Sequence, residues 1–140
     1  MKVNNFEDND LMTIFRSGLV DHDQPCLIDE GDWFLLTGGC CTVSTVQRYD
    51  INGWVEDLGD LNTARWGHGC TRYNNNQGVD VNIVCGGLGA GGSYLTSCEI
   101  NVAGEKTWSI TSQSLPLSTM FQPRGVTIDN RVLMIGNHIE

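Results

Sequence analysis

The sequence predicts an all-β chain of short antiparallel strands, and three observations carry that expectation. Glycine occupies 17 of 140 positions while alanine numbers 3 and lysine 2, so turn formers outnumber good helix formers. Short apolar runs each end at a glycine, and similar runs return after 48 and then 50 residues. Leu, Ile, Val and Phe together supply 36 residues, enough apolar surface to pay for folding.

The elements follow in order. Residues 1–21 carry no glycine pair and hold one apolar patch, Leu11, Met12, Ile14 and Phe15. They read as a leader or as the outer strand of a preceding unit. Cys26-Leu27-Ile28 is a short β-like segment, Asp29-Glu30-Gly31 a turn, and Trp33 to Thr37 a strand closed by Gly38-Gly39. Val43 to Asp50 is a further strand, followed by Asn52-Gly53, a pair that tolerates positive φ and predicts a type I′ hairpin before Trp54. The pattern then repeats. Gly69 to Tyr73, a turn at Asn74 to Gly78, and Val81 to Cys85 lead into Gly86-Gly87, after which come Tyr94 to Val102 and Trp108. A third copy begins with Gly125 to Ile128, turns at Asp129-Asn130, and reaches Gly136 through Val132 to Ile135. Leucine-bearing connectors, Leu58 to Leu61 and Leu115 to Leu117, each precede an arginine, Arg65 or Arg124.

Four short strands per unit of about 50 residues, joined by hairpins, is the arrangement of a β-propeller blade. The chain resembles the Kelch repeat family over roughly residues 22–140. Gly38-Gly39, Tyr49, Asp50, Trp54 and Arg65 carry the resemblance in the first copy, and Gly86-Gly87, Glu99 and Trp108 in the second. The resemblance implies that the glycine pair ends the second strand of a blade and that the outer tyrosine and tryptophan pack against the next blade. Gly38, Gly39, Tyr49, Trp54, Gly86, Gly87, Trp108 and Gly136 are therefore expected to be structural. The second copy has Asn101 where the first has Tyr49, and the third has Asn137 in place of the second glycine. The expected organisation is blade one over 22–61, blade two over 62–117, and the first hairpin of blade three over 118–140. About two and a half blades cannot close a ring that needs roughly four to eight, so the chain is expected to be part of a longer product or to associate with copies of itself.

Charge narrows the function classes. The formal net charge is −9, and residues 1–32 hold most of it, so a phosphate backbone or an anionic membrane surface would be repelled. The longest uncharged stretch, Val81 to Cys98, is broken by five glycines and cannot span a bilayer as a helix. Six cysteines show no Cys-x-x-Cys pair, which predicts reduced, half-buried thiols in a cytoplasmic protein. The rival is a disulfide set in an extracellular chain, with Cys70 and Cys85 flanking one hairpin.

Chemical motifs are sparse. Gly87-x-Gly89-x-x-Gly92 follows a strand but precedes β-like sequence, so it reads as a blade loop and not a dinucleotide turn. His68 and Cys70 share one face of a strand, yet no third ligand accompanies them, and neither metal nor other cofactor is expected. No Gly-x-Ser-x-Gly elbow occurs, and Cys70 alone has basic company, from His68 and Arg72. The resemblance then implies a non-catalytic protein-interaction module, an adaptor or scaffold, with Arg65, Trp66, His68, Arg72, Tyr94, Phe121 and Arg124 as binding residues on the connecting loops. Arg65 or Arg124 could equally bridge neighbouring blades. The alternative is a portion of a Kelch-propeller enzyme, a galactose-oxidase-like oxidase or a sugar isomerase. The copper ligand pattern of the former cannot be placed on Tyr49, Tyr73 or Tyr94.

Overall fold

The structure, a computed structural model, describes residues 25–40, 43–53, 55–116 and 120–138. They form two four-stranded antiparallel sheets and a hairpin, with one 3-10 turn over Ala90–Gly92. The first sheet runs in chain order through β1 (Cys26–Asp29), β2 (Trp33–Thr37), β3 (Val46–Asp50) and β4 (Val55–Asp57). The second repeats this order with β5 (Gly69–Asn74), β6 (Asp80–Cys85), β7 (Ser97–Val102) and β8 (Ser109–Ser114). β9 (Met120–Ile128) and β10 (Arg131–His138) pair as the hairpin. β1 lies beside β5, and β5 beside β9.

Turn chemistry explains each reversal. Asp29 Oδ1 accepts the Gly31 N–H at 2.8 Å, and Gly31 takes φ +91°, which closes β1 onto β2. Asn75 Oδ1 accepts the N–H groups of Gln77 and Val79 between β5 and β6. The type I′ turn expected at Asn52-Gly53 is not formed. Gly53 alone has positive φ, +83°, and its N–H closes on the Asp50 carbonyl at 3.0 Å. The left-handed pair sits instead at Asp129 and Asn130, φ +47° and +59°, between the opposed residues Ile128 and Arg131.

The core lies between the two sheets. Ile28, Leu35 and Val46 of the first meet Cys70, Val84 and Trp108 of the second, with Leu58 and Leu61 of the connector between them. Trp108 is 5% exposed, while Trp54 lies outside the described residues. Aromatic and polar side chains trade places at a matched pair of the two sheets. Phe34 and Tyr49 stack across β2 and β3 with centroids 5.4 Å apart, and the corresponding places on β6 and β7 hold Asn82 and Asn101, fully buried and hydrogen-bonded at 3.3 Å. Asn101 completes its amide on the carbonyls of Glu105 and Thr107, so a polar pair substitutes for an aromatic one without stranding its donors.

The cysteines correct the reduced-thiol expectation. Cys26 and Cys70 are disulfide-bonded, with Cα atoms 6.0 Å apart, and so are Cys85 and Cys98, at 4.1 Å. Among the described residues there is no free cysteine. The pairing is also not the one that spacing suggested, because Cys70 stands opposite Val84 and not Cys85. Cys85 and Cys98 are direct cross-strand partners, whereas Cys26 and Cys70 join the first strands of the two sheets. Among the described residues no helix is long and apolar enough to cross a membrane.

Candidate functional site

Antiparallel order places the start of each sheet's first strand, the end of its second and the start of its third at one end of the molecule. The segments 38–40, 43–45, 62–69, 86–97 and 120–125 therefore gather there. Trp66 and Leu88 exchange backbone hydrogen bonds at 3.0 and 2.9 Å, and Leu88 bridges onward to Tyr94. Loops that sequence spacing treats separately form one continuous surface.

Beneath that surface lies a charged clamp. Arg65 and Glu99 are both fully buried and ion-paired at 3.0 Å. Glu99 Oε1 also accepts the Thr63 N–H at 2.9 Å, while Oε2 accepts the Asn62 N–H at 2.7 Å and its Nδ2 at 3.1 Å. Arg65 donates further to the carbonyls of Gly86 and Ser97 and to Ser97 Oγ. Burial lowers the Arg65 pKa from its usual value, and the Glu99 charge and hydrogen bond beside it work against that shift. Arg65 is thus withdrawn from the binding surface proposed for it and ties the connector to the second sheet.

His68 is withdrawn in the same way. It is 5% exposed and shares a 2.8 Å hydrogen bond with Thr37 Oγ1 of the first sheet. Burial, reinforced by the Arg65 charge, pushes its pKa down to about 3, so the ring is neutral at ordinary pH. Gly38 and Gly87 show why this corner admits no Cβ. At φ +59°, a Cβ on Gly38 would meet the Arg65 carbonyl oxygen and lie 2.7 Å from His68 Cε1. On Gly87, at φ +83°, it would come within 2.6 Å of the Trp66 carbonyl oxygen. Gly39 donates its N–H to the Arg65 carbonyl at 3.0 Å, Gly86 accepts from Arg65, and Gly136 marks an irregularity in the β9–β10 register.

The remaining candidates divide. Trp66 is half-buried and Tyr94 is 37% exposed, both on the loop surface. Arg72 lies at the opposite end, ion-paired with Asp80 at 3.1 Å beside an open hollow of about 530 Å³ that also touches Asp29, Asn74 and Asn130. Phe121 falls in β9, and its side chain lies outside the described residues. Arg124 is exposed and has no ion pair among the described residues. It is not the counterpart of Arg65. Arg124 stands opposite Ile135, which precedes Gly136, as Gly69 stands opposite Cys85, which precedes Gly86, so Arg124 occupies the place of Gly69.

Arg124 lines a cavity of about 500 Å³ at the loop end, together with Cys26, Cys70, His68, Gln122 and Pro123. That volume suits a small molecule or a side chain. Gln122 holds φ +46°, a conformation rare outside glycine, at the bulge facing the cavity. Sequence reasoning missed Cys26 here, since it lies in no motif and only the packing of β1, β5 and β9 brings it to the 121–123 connection that the sequence did single out. Among the described residues no group of three or more His, Cys, Asp or Glu side chains is placed to hold a metal ion.

No family model matches the chain, and no curated protein does. Among solved structures it is similar to one titled "Structure of YjhT", with a TM-score of 0.62 and 17% identity over 82% of this chain. The chain spans 38% of the length of that structure. At this identity the likeness concerns the fold, and what it supports is an all-β chain of antiparallel four-stranded sheets.

Proposed function

We propose that the chain is a segment of a Kelch-type β-propeller in which the sheets β1–β4 and β5–β8 are successive blades and β9–β10 opens a third. Its loop end binds a protein partner, as an adaptor or scaffold does. The observation that carries this reading is the convergence of loops from both sheets and the hairpin around one cavity. Arg124 lines that cavity, with the half-buried Trp66 and the exposed Tyr94 on the loops of the same end, whereas Arg65, His68 and the paired cysteines are committed to internal bonds. The hairpin supports incompleteness. Val126, Ile128, Leu133 and Ile135 are 38% to 61% exposed, an apolar surface that further strands of a larger ring would cover. The two disulfides favour an oxidising, extracytoplasmic setting over the cytoplasm.

A photo-crosslinking residue placed at Tyr94, with one at the exposed Ile110 of β8 as control, tests the binding surface in the natural polypeptide. Protein adducts from position 94 and none from 110 are expected. Adducts from neither position, together with turnover of a sugar by the natural protein, would replace the interaction reading with the enzyme reading. The denatured mass of the natural polypeptide tests incompleteness, since a ring of six or seven blades at about 50 residues each needs roughly 300 to 350 residues.

A further inference from the structure

We propose that the Cys26–Cys70 disulfide is a thiol-exchange site, at which a small anionic thiol of the glutathione class enters the loop-end cavity and becomes attached to Cys26. Both cysteines line that cavity of about 500 Å³, and Cys26 is the more accessible of the two, half-buried where Cys70 is 5% exposed. Exchange requires a thiolate to reach a sulfur, so access selects both the bond and the atom attacked. Cys85 and Cys98 supply an internal contrast, at 2% and 5% exposure and with neither lining this cavity.

The surroundings favour the reaction. Arg124 lies on the same cavity wall and makes no ion pair among the described residues, so it attracts an anionic thiolate into a chain whose net charge is −9. The incoming thiolate attacks Cys26 Sγ and forms a new S–S bond as the Cys26–Cys70 bond breaks. The electron pair leaves on Cys70 Sγ, which takes a proton from water. That protonated thiol already has an acceptor, the Leu27 carbonyl oxygen, 3.4 Å away. A second molecule of the small thiol removes the first as its symmetrical disulfide, so two thiols are oxidised while one protein disulfide is reduced. The consequence is mechanical. β1 and β5 lose their covalent link at the cavity wall, while the Thr37–His68 hydrogen bond and the core between the sheets keep them packed.

Incubating the folded chain with reduced glutathione, quenching with acid, blocking free thiols with N-ethylmaleimide and mapping the peptides tests this. Glutathione on Cys26, maleimide on Cys70 and an intact Cys85–Cys98 pair are expected. In R124Q the adduct should form severalfold more slowly with glutathione, while mercaptoethanol, whose attacking thiolate carries only its own single charge, should be slowed less. Attachment to Cys70, opening of Cys85–Cys98 at an equal rate, or no opening of either bond short of denaturant would overturn the site. Equal glutathione rates in R124Q and the parent would overturn the steering by Arg124.

Discussion

Replacing Glu99 by glutamine removes the charge from the clamp while keeping its size. The carboxylate accepts four hydrogen bonds, two from Asn62, one from Thr63 and one from Arg65. A glutamine amide offers one oxygen and one NH2 group, so whichever way it turns, two donors face a donor. The Arg65 guanidinium, 0% exposed, is left without a counter-charge. Removing one member of a buried ion pair costs about 3–5 kcal/mol, and each stranded donor costs about 1–3 kcal/mol within that total. Against a typical domain stability of about 5–15 kcal/mol, E99Q should lose roughly half of it. Urea unfolding with the disulfides intact reads this as a midpoint lowered by about 2 M, for a slope near 2 kcal/mol per M. Arg65→Met in the E99Q background should cost about 2 kcal/mol less than in the parent, because the charge it removes is already unpaired. A midpoint shift under about 0.5 M would refute the assignment of the clamp as a principal tie between connector and second sheet.

Three further outcomes follow from the same contacts. The His68 pKa is about 3 in the fold and 6.5 in its absence, so the unfolded chain binds the extra proton between these values and stability is lost as the pH is lowered from 6.5 towards 3. The loss approaches about 1.4 kcal/mol per pH unit, and unfolding of the parent and H68Q at pH 7 and pH 5 should show a shallower dependence in the variant. Equal slopes would contradict the buried neutral ring. The disulfide Cys26–Cys70 closes a sequence separation of 44 and Cys85–Cys98 one of 13, so alanine replacement of each pair should cost about 4 and about 3 kcal/mol in denaturant unfolding. Gly38→Ala combines a φ of +59° with contacts to Arg65 and His68, whereas Gly31→Ala has positive φ and open space. Thermal unfolding should place G38A at least about 2 kcal/mol below G31A, and equal losses would mean that the corner yields more readily than its geometry implies.

Much of the strand order was legible because it depends on local patterns. Apolar runs closed by glycine pairs mark β2 and β6, and turn-forming side chains at Asp29 and Asn75 act on backbone groups two to four residues away. Gly38, Gly39, Gly86 and Gly87 take the positive φ that a sharp turn after a strand calls for. At Asn52-Gly53 the local rule failed, since Gly53 alone satisfies the turn and Asn52 needs no positive φ.

Long-range partners were not legible. Arg65 reads in the sequence either as a surface cation in an acidic chain or as a bridge between neighbouring blades, and only the packing of the connector against β7 makes it the partner of Glu99, 34 residues away. Arg124 resembles it by position after a connector, yet the β9–β10 register sets it four places out of step, on a cavity wall. The cysteines show the same division. Composition supplies six thiols, and bonding them requires Cα atoms within several ångströms, a distance that strand register decides for Cys85 and Cys98 and that the juxtaposition of β1 and β5 decides for Cys26 and Cys70. Strands, most turns and their period follow from local sequence, because these arise from backbone sterics and hydrophobic alternation over a few residues. The clamp, the disulfide pairing and the cavity were decided only by the tertiary structure, because each depends on which sheet edge meets which.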